Sequence, residues 1–108
     1  MECSIRKEGN SSIISLAGEI DLHCSSDARK AILSELGQER SVMVDMSDVK
    51  YIDSSAIASL VEGFQMAKHS NLDFALVNIS NEAMQVLKLA RLDKVFTIFD
   101  SIEEAING

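Results

Sequence analysis

The amino-acid sequence lacks proline and tryptophan altogether and has few cysteines and histidines. It contains two cysteines, Cys3 and Cys24, without a CxxC pair, and two widely separated histidines, His23 and His69. This distribution provides neither a disulfide framework nor the ligand spacing of a metal site. We therefore expect both cysteines to be reduced and to behave as small hydrophobic residues. We also expect the protein to carry no metal ion and no other cofactor.

Clusters of basic residues and long apolar runs are also missing. Lysine and arginine together number 10 against 17 aspartates and glutamates, which gives a formal net charge of −7, and the basic residues are scattered singly. Binding to the phosphates of a nucleic acid is therefore not expected. No apolar run approaches the roughly 18 residues that span a bilayer, and the opening MECSIRKEGN lacks the apolar core of a secretion signal. We expect a cytoplasmic protein without direct membrane insertion.

The order of the apolar patterns predicts an α/β fold. A length of 108 residues is typical of one domain, so we expect a single domain over residues 1–108. Two β-rich segments, residues 3–7 and 12–17, flank a Gly9-Asn10 turn and should form an antiparallel hairpin. Helical and strand patterns then alternate, which calls for right-handed crossovers and a mostly parallel sheet. The predicted order is ββαβαβαβα, with about four helices around a mixed sheet.

Several element boundaries can be predicted from capping residues and apolar runs. The first helix should begin at Ser25 or Ser26 and stop at Gly37. The compact apolar run over residues 41–46 is typical of a strand that is buried on both faces. Ser80 is placed to cap the third helix.

The segment over residues 42–64, VMVDMSDVKYIDSSAIASLVEGF, joins an apolar strand to a helix through a polar break. The helix should begin near Ser54, because apolar residues then recur at helical spacing on one face. These residues are Ile57, Leu60, Val61, Phe64 and Ala67. Two adjacent serines, Ser54 and Ser55, thus stand at the mouth of the second helix.

Two kinds of catalytic or phosphoacceptor site can be tested against the residues near this helix. Asp45 follows an apolar strand, as does the phosphoacceptor of a receiver domain, but the early strands end without the acidic pair that such a domain needs for Mg²⁺. We interpret Asp45 as a carboxylate at a strand end or turn. Ser54 does not lie in a GxSxG elbow, and no Gly-rich phosphate-binding signature occurs. The sequence therefore predicts no enzyme.

The serine pair has two interpretations, a structural one and a regulatory one. Serine and aspartate before an apolar-periodic segment are ordinary helix N-caps. If Asp53 or Ser54 is the cap, the next residues lie in the first turn, where we expect free backbone N–H groups and a helix dipole that favours negative charge. A phosphate would be tolerated there while changing the surface charge by roughly −1.5 to −2. Such a position suits a reversible modification.

Three stretches resemble the STAS domain, specifically its anti-sigma factor antagonist class. They are GEIDL at residues 18–22, VDMSDVKYIDSSA at residues 44–56 and the closing LKLARLDKVFTIFDSIEEAI, of which the central one is the most specific. The resemblance runs nearly end to end and agrees with the predicted element order. It implies a small partner-switching protein that takes part in signal transduction and transcription regulation in bacteria.

The resemblance also implies roles for individual residues. In this family the serine directly after the aspartate of the D-S-[ST]-G motif is phosphorylated by a serine kinase of the histidine-kinase-like ATPase type that is also the anti-sigma factor, and a PP2C-type phosphatase removes the phosphate. Ser54 then matches the phosphoacceptor, with Ser55 as an alternative. Asp21, Asp53, Ser55 and Ala56 match positions of the partner-binding surface, and Ala56 replaces the usual glycine. We expect Asp21 in the loop after the second strand, near the start of the second helix.

A second function remains open within the same fold. STAS domains also serve as accessory subunits of lipid or anion transporters, and in that case the two serines would only cap the helix. Other branches of the family regulate biofilm or secretion programmes. The intact Asp-Ser-Ser sequence at residues 53–55 favours the phosphorylation switch.

Overall fold

The computed structural model describes residues 2–21 and 25–107, and the order of their elements is the predicted ββαβαβαβα. The strands are β1 (Glu2–Glu8), β2 (Ser11–Ile20), β3 (Ser41–Ile52), β4 (Phe74–Val77) and β5 (Thr97–Phe99). The helices are α1 (Ser25–Gly37), α2 (Ser54–His69), α3 (Asn81–Leu89) and α4 (Ile102–Asn107).

The five strands form one mixed sheet in the order β1-β2-β3-β4-β5. Strand β1 pairs antiparallel with β2, and all other neighbouring strands are parallel. The turn between β1 and β2 uses Gly9, whose φ of 58° lies in the left-handed region that glycine adopts without strain. The prediction of an α/β fold with a mostly parallel sheet is confirmed.

Helices cover the two sheet faces unequally. On one face, Ile14, Val44 and Leu76 are fully buried in a core to which α1, α2 and α3 all contribute. On the other face, a smaller cluster of Ile13, Met43 and Val77 packs against α4. On β3 this cluster is formed by Met43, near the amino-terminal end of the strand, whereas α2 begins after its carboxyl end.

Helix α2 packs against both the sheet and α1. The predicted apolar stripe of α2 lies in or against the core. Gly63 is also buried on this helix, and a Cβ at this position would lie 2.6 Å from Ile32 Cγ2 of α1 and 3.0 Å from the ring of Phe74. Beside this close approach, Arg29 of α1 donates hydrogen bonds to Glu62 of α2, one of them from Nη2 at 3.1 Å.

One predicted boundary is confirmed and another differs from the structure. Helix α1 ends at Gly37, as predicted, and the residue with a left-handed backbone that follows it is Glu39, with a φ of 63°. Strand β3 does not end at residue 46, because it continues to Ile52 through two shifts of register against β2. Asp45 thus lies inside the strand, half-buried, where its Oδ1 accepts a hydrogen bond from the Ser47 N–H at 3.0 Å. Its interpretation as a strand-end carboxylate is wrong.

The predicted cap of the third helix is present. Ser80 precedes α3, and its side chain accepts a hydrogen bond from the Ala83 N–H at 3.2 Å. The Ser80 hydroxyl also donates to the carbonyl oxygen of Val49 at 2.6 Å, which ties the start of α3 to β3.

Candidate functional site

The start of α2 is built around the carboxylate of Asp53. Asp53 has an extended backbone, with φ −103° and ψ −178°, and is the N-cap of the helix. Its Oδ1 accepts hydrogen bonds from the Ser55 N–H at 3.0 Å and the Ala56 N–H at 3.1 Å. Of the two predicted candidates for this cap, Asp53 and Ser54, the N-cap is Asp53. Ser55 does not cap the helix either.

The two adjacent serines have different surroundings. The Ser55 hydroxyl donates a hydrogen bond of 2.6 Å to Asp53 Oδ1, and the residue is half-buried. Ser54 is exposed, and within the described part of the chain its hydroxyl has no hydrogen-bond partner. The geometry thus leaves one hydroxyl available to solvent and holds the other against the cap.

The expectation of free backbone amides in the first turn needs correction. Two of the four N–H groups that a helix start leaves without a helical partner, those of Ser55 and Ala56, are already bonded to Asp53. An anion on Ser54 would share the helix dipole with this carboxylate instead of meeting an empty set of amides. The helix start tolerates a further negative charge less readily than the sequence indicated.

Asp21 lies beside this helix start, as predicted, because β2 and β3 end together. Ile20 pairs with Ile52, and the Asp53 N–H donates to the Ile20 carbonyl at 3.2 Å. Asp21, which follows Ile20, is therefore held next to Asp53, the N-cap of α2. Asp21 is half-buried, and its carbonyl accepts the N–H of Ser25 at 2.9 Å.

The other residues named from the sequence lie in different environments. Ala56 exposes only 3% of its surface, so its side chain offers little area for contact with a partner. Its N–H donates to the capping carboxylate of Asp53. Ala56 does not have a positive φ, which removes any local need for glycine. Cys3 is exposed and free of a disulfide, and its thiol pKa is raised by partial desolvation and then by the charge of Asp27, which disfavours the reactive thiolate. His23 and Cys24 lie outside the described residues.

The end of the sheet that holds the site is acidic. Glu19 is exposed near the end of β2, two residues before Asp21, and Asp48 is exposed in β3 five residues before Asp53, whereas Lys50 is the basic residue of this stretch of β3. Within the described ranges, no group of three His, Cys, Asp or Glu residues could hold a metal ion. No helix in the described part of the chain is both long and apolar enough to cross a membrane.

Sequence reasoning missed the hydrogen bond that distinguishes the two serines. Both serines follow an aspartate, and a capping aspartate has a known reach to the amides two and three residues later. The bond from the Ser55 hydroxyl to the same oxygen depends on a side-chain rotamer, which residue spacing does not determine.

Comparison with known proteins identifies the family of the chain. The family model of the STAS domain matches residues 3–105. The anti-sigma-B factor antagonist of Bacillus subtilis is 23% identical over 94 residues, which cover 87% of this chain and 86% of that protein. A solved structure of a candidate anti-sigma factor antagonist from Thermotoga maritima superposes with a TM-score of 0.87 at 25% identity, covering 97% of this chain and 92% of that one.

One further solved protein shows the same fold in two states of modification. The anti-sigma factor antagonist SpoIIAA, at 19% identity, superposes in its unphosphorylated form with a TM-score of 0.84, covering 98% of this chain and 94% of that one. The phosphorylated form of SpoIIAA from Bacillus gives a TM-score of 0.77, with 98% and 97% covered. The chain belongs to the STAS-domain family, and its relatives in sequence include an anti-sigma factor antagonist.

Proposed function

We propose that the protein is a phosphorylation-gated partner switch and that Ser54 receives the phosphate. The unphosphorylated form binds a serine kinase of the histidine-kinase-like ATPase type that is also an anti-sigma factor. Phosphorylation of Ser54 abolishes this binding, and a PP2C-type phosphatase restores it. The observation that carries the proposal is the exposed Ser54 hydroxyl at the acidic start of α2.

The difference between the two serines supports Ser54 as the acceptor. A kinase must bring the hydroxyl oxygen in line with the γ-phosphate of ATP, so the acceptor has to be accessible. Ser54 meets this requirement without a rearrangement of the helix start. Modification of Ser55 would first break its 2.6 Å hydrogen bond to Asp53.

The charge of the phosphate supports a block of the interface. A phosphoserine adds roughly −1.5 to −2 charges, and Asp53 and Asp21 already lie at this position. A partner surface shaped around a neutral hydroxyl would bury the dianion without a counterion. A loss of 10²- to 10³-fold in affinity corresponds to about 3–4 kcal/mol, which is within the cost of burying an unpaired charge.

The relatives support the same class of function. The Bacillus subtilis relative is named an anti-sigma-B factor antagonist, and SpoIIAA, which shares the fold, exists in a phosphorylated form. The proposal includes the type of kinase and of phosphatase given above. It also includes a cytoplasmic location for the protein and a single domain over residues 1–108.

Phosphate mapping in lysate tests the proposal. The purified wild type, Ser54→Ala and Ser55→Ala are incubated with ATP and a lysate of the source cells, and the site is identified by mass spectrometry. Ser47→Ala is the matched control, because Ser47 is also an exposed serine and lies in β3 seven residues before Ser54. We expect phosphate on every variant except Ser54→Ala.

Two results would overturn this function. One is phosphate on Ser55, or on no serine of the wild type, under conditions in which the lysate kinases are active. The other is tight association of the unmodified chain with a transporter ATPase subunit that neither serine substitution changes, which would support an accessory role in transport.

A further inference from the structure

Tyr51 differs from the other aromatic residues in its exposure. It is the single tyrosine of the chain, and 51% of its surface is exposed. The four phenylalanines are buried or half-buried, and three of them contact one another edge-on or tilted in the core. Tyr51 is thus the only exposed aromatic side chain among residues 2–21 and 25–107.

A shift in strand register turns Tyr51 outward. Gly18 of β2 pairs with Val49, but the next residue, Glu19, pairs with Tyr51, so β3 contains one extra residue at Lys50. In a regular strand, residues 49 and 51 would point to the same side, and Val49 is 1% exposed. Irregularities of this kind re-aim side chains and are frequent near functional sites.

The position of Tyr51 connects it to the phosphorylation site. Ser54 is the third residue after Tyr51, so their Cα atoms are at most about 11 Å apart. Its pairing partner Glu19 comes two residues before Asp21. This distance is within the span of one partner surface that covers the Ser54 hydroxyl and extends along the end of β3.

The surroundings indicate what chemistry would bind this ring. Glu19 is the pairing partner of Tyr51 and Asp21 follows it by two residues, so two acidic residues lie at this end of the sheet, with Lys50 as the adjacent basic residue. Tyrosine combines a large apolar ring with a hydroxyl that can donate a hydrogen bond, and it is enriched among residues that dominate binding energy. A complementary surface would have an apolar pocket for the ring and a rim of arginine or lysine.

We propose that Tyr51 is the aromatic anchor by which the kinase of the proposed function binds the unphosphorylated chain. The inference rests on that function and extends it with a specificity-determining residue outside the serine motif. Single exposed apolar residues are common on protein surfaces. The register shift at Lys50 and the position beside Ser54 distinguish Tyr51 from Leu89, which is 86% exposed at the end of α3.

A binding titration with matched variants tests the anchor. The probe is the purified kinase that phosphorylates Ser54 of the wild type, and the variants are Tyr51→Ala, Tyr51→Phe and the control Leu89→Ala. We expect Tyr51→Ala to weaken binding by about 10- to 30-fold. Tyr51→Phe, which keeps the ring, should lose less than about threefold, and Leu89→Ala should bind as the wild type does.

A second measurement needs no substitution at the tyrosine. Because the chain has one tyrosine, incorporation of 3-fluorotyrosine gives a single ¹⁹F resonance. We expect the kinase to shift this resonance and to protect it from a soluble paramagnetic quencher, and Ser54→Asp to prevent both effects. This measurement applies even if Tyr51→Ala lowers stability.

The outcomes separate this inference from the function on which it rests. If the kinase phosphorylates Ser54 and binds Tyr51→Ala as tightly as the wild type, or leaves the ¹⁹F resonance unchanged, the anchor is wrong and the switch stands. If no kinase phosphorylates or binds the wild type, both are overturned.

Discussion

Replacement of the capping residue gives a quantitative test of how the helix start is built. Asp53→Ala removes the acceptor for three hydrogen bonds, from the Ser55 N–H, the Ser55 hydroxyl and the Ala56 N–H. Loss of an N-cap costs about 0.5–2 kcal/mol, and loss of a negative charge near the positive end of the helix dipole adds about 0.3–1 kcal/mol. We expect the free energy of unfolding to fall by about 1–2.5 kcal/mol.

Asp53→Asn is the matched control for this substitution. Asparagine is as good an N-cap as aspartate, and its side-chain oxygen can still accept from the two amides and from the Ser55 hydroxyl. It removes only the charge, so the expected loss is less than about 1 kcal/mol. Both variants are measured by urea unfolding followed by circular dichroism, with the denaturant slope checked against the wild type.

The result that would refute this reasoning is specific. Asp53→Ala within about 0.3 kcal/mol of the wild type would mean that the three hydrogen bonds contribute nothing net. Asp53→Asn as unstable as Asp53→Ala would mean that charge, not capping geometry, stabilises the helix start.

Three further substitutions test the packing and the helix ends. Gly63→Ala should lower the free energy of unfolding by about 1–2 kcal/mol in chemical unfolding, because the clash with Ile32 exceeds the gain in helix propensity; an unchanged or raised stability would contradict the close contact of α1 with α2. Arg91→Gly should raise the free energy of unfolding by about 0.5–1 kcal/mol, and with it the melting temperature, because position 91 has a φ of 62° that glycine adopts without strain; a lower melting temperature would contradict this. Arg29 lowers the pKa of Glu62 through its hydrogen bond, so the stability difference between wild type and Glu62→Gln should be present above the ordinary glutamate pKa and vanish as the pH falls through the lowered one; a difference that persists in acid would exclude the ion pair as its cause.

The order and type of the elements could be predicted because they depend on apolar periodicity. Helix α2 shows its core-facing side at helical spacing from Ile57 to Ala67, and β4 is buried at every position. These patterns require only that each element bury one face or both. The cap of α3 could be recognised for the same reason, because Ser80 directly precedes a helical pattern of buried apolar residues.

The length of β3 and the left-handed residues that follow the helices could not be predicted, for a different reason. Alternation is lost where β3 contains extra residues relative to β2, so Lys50 and Tyr51 did not have the pattern of a strand. Glu39 and Arg91 take left-handed backbone angles that usually indicate glycine or asparagine. Tertiary packing overrides these local preferences, and residue types alone do not reveal it.

The candidate site was predictable in position but not in its hydrogen bonding. The serine pair was recognised as lying at a helix start, and Asp21 was expected beside it. The sequence did not indicate that Asp53 would bond two amides and also hold the Ser55 hydroxyl. That arrangement separates the two serines chemically and leaves Ser54 exposed.

The affinity of Ser54→Asp for the kinase tests the switch most directly. If a negative charge at this exposed position blocks the interface without refolding the domain, Ser54→Asp should bind at least about 100-fold more weakly than the wild type, which is about 2.7 kcal/mol. Ser54→Ala should bind as the wild type does. Because the helix dipole favours the added charge and Asp53 opposes it, the melting temperature of Ser54→Asp should remain near that of the wild type. Wild-type affinity of Ser54→Asp, or loss of its folded circular dichroism spectrum, would contradict a phosphorylation switch at this serine.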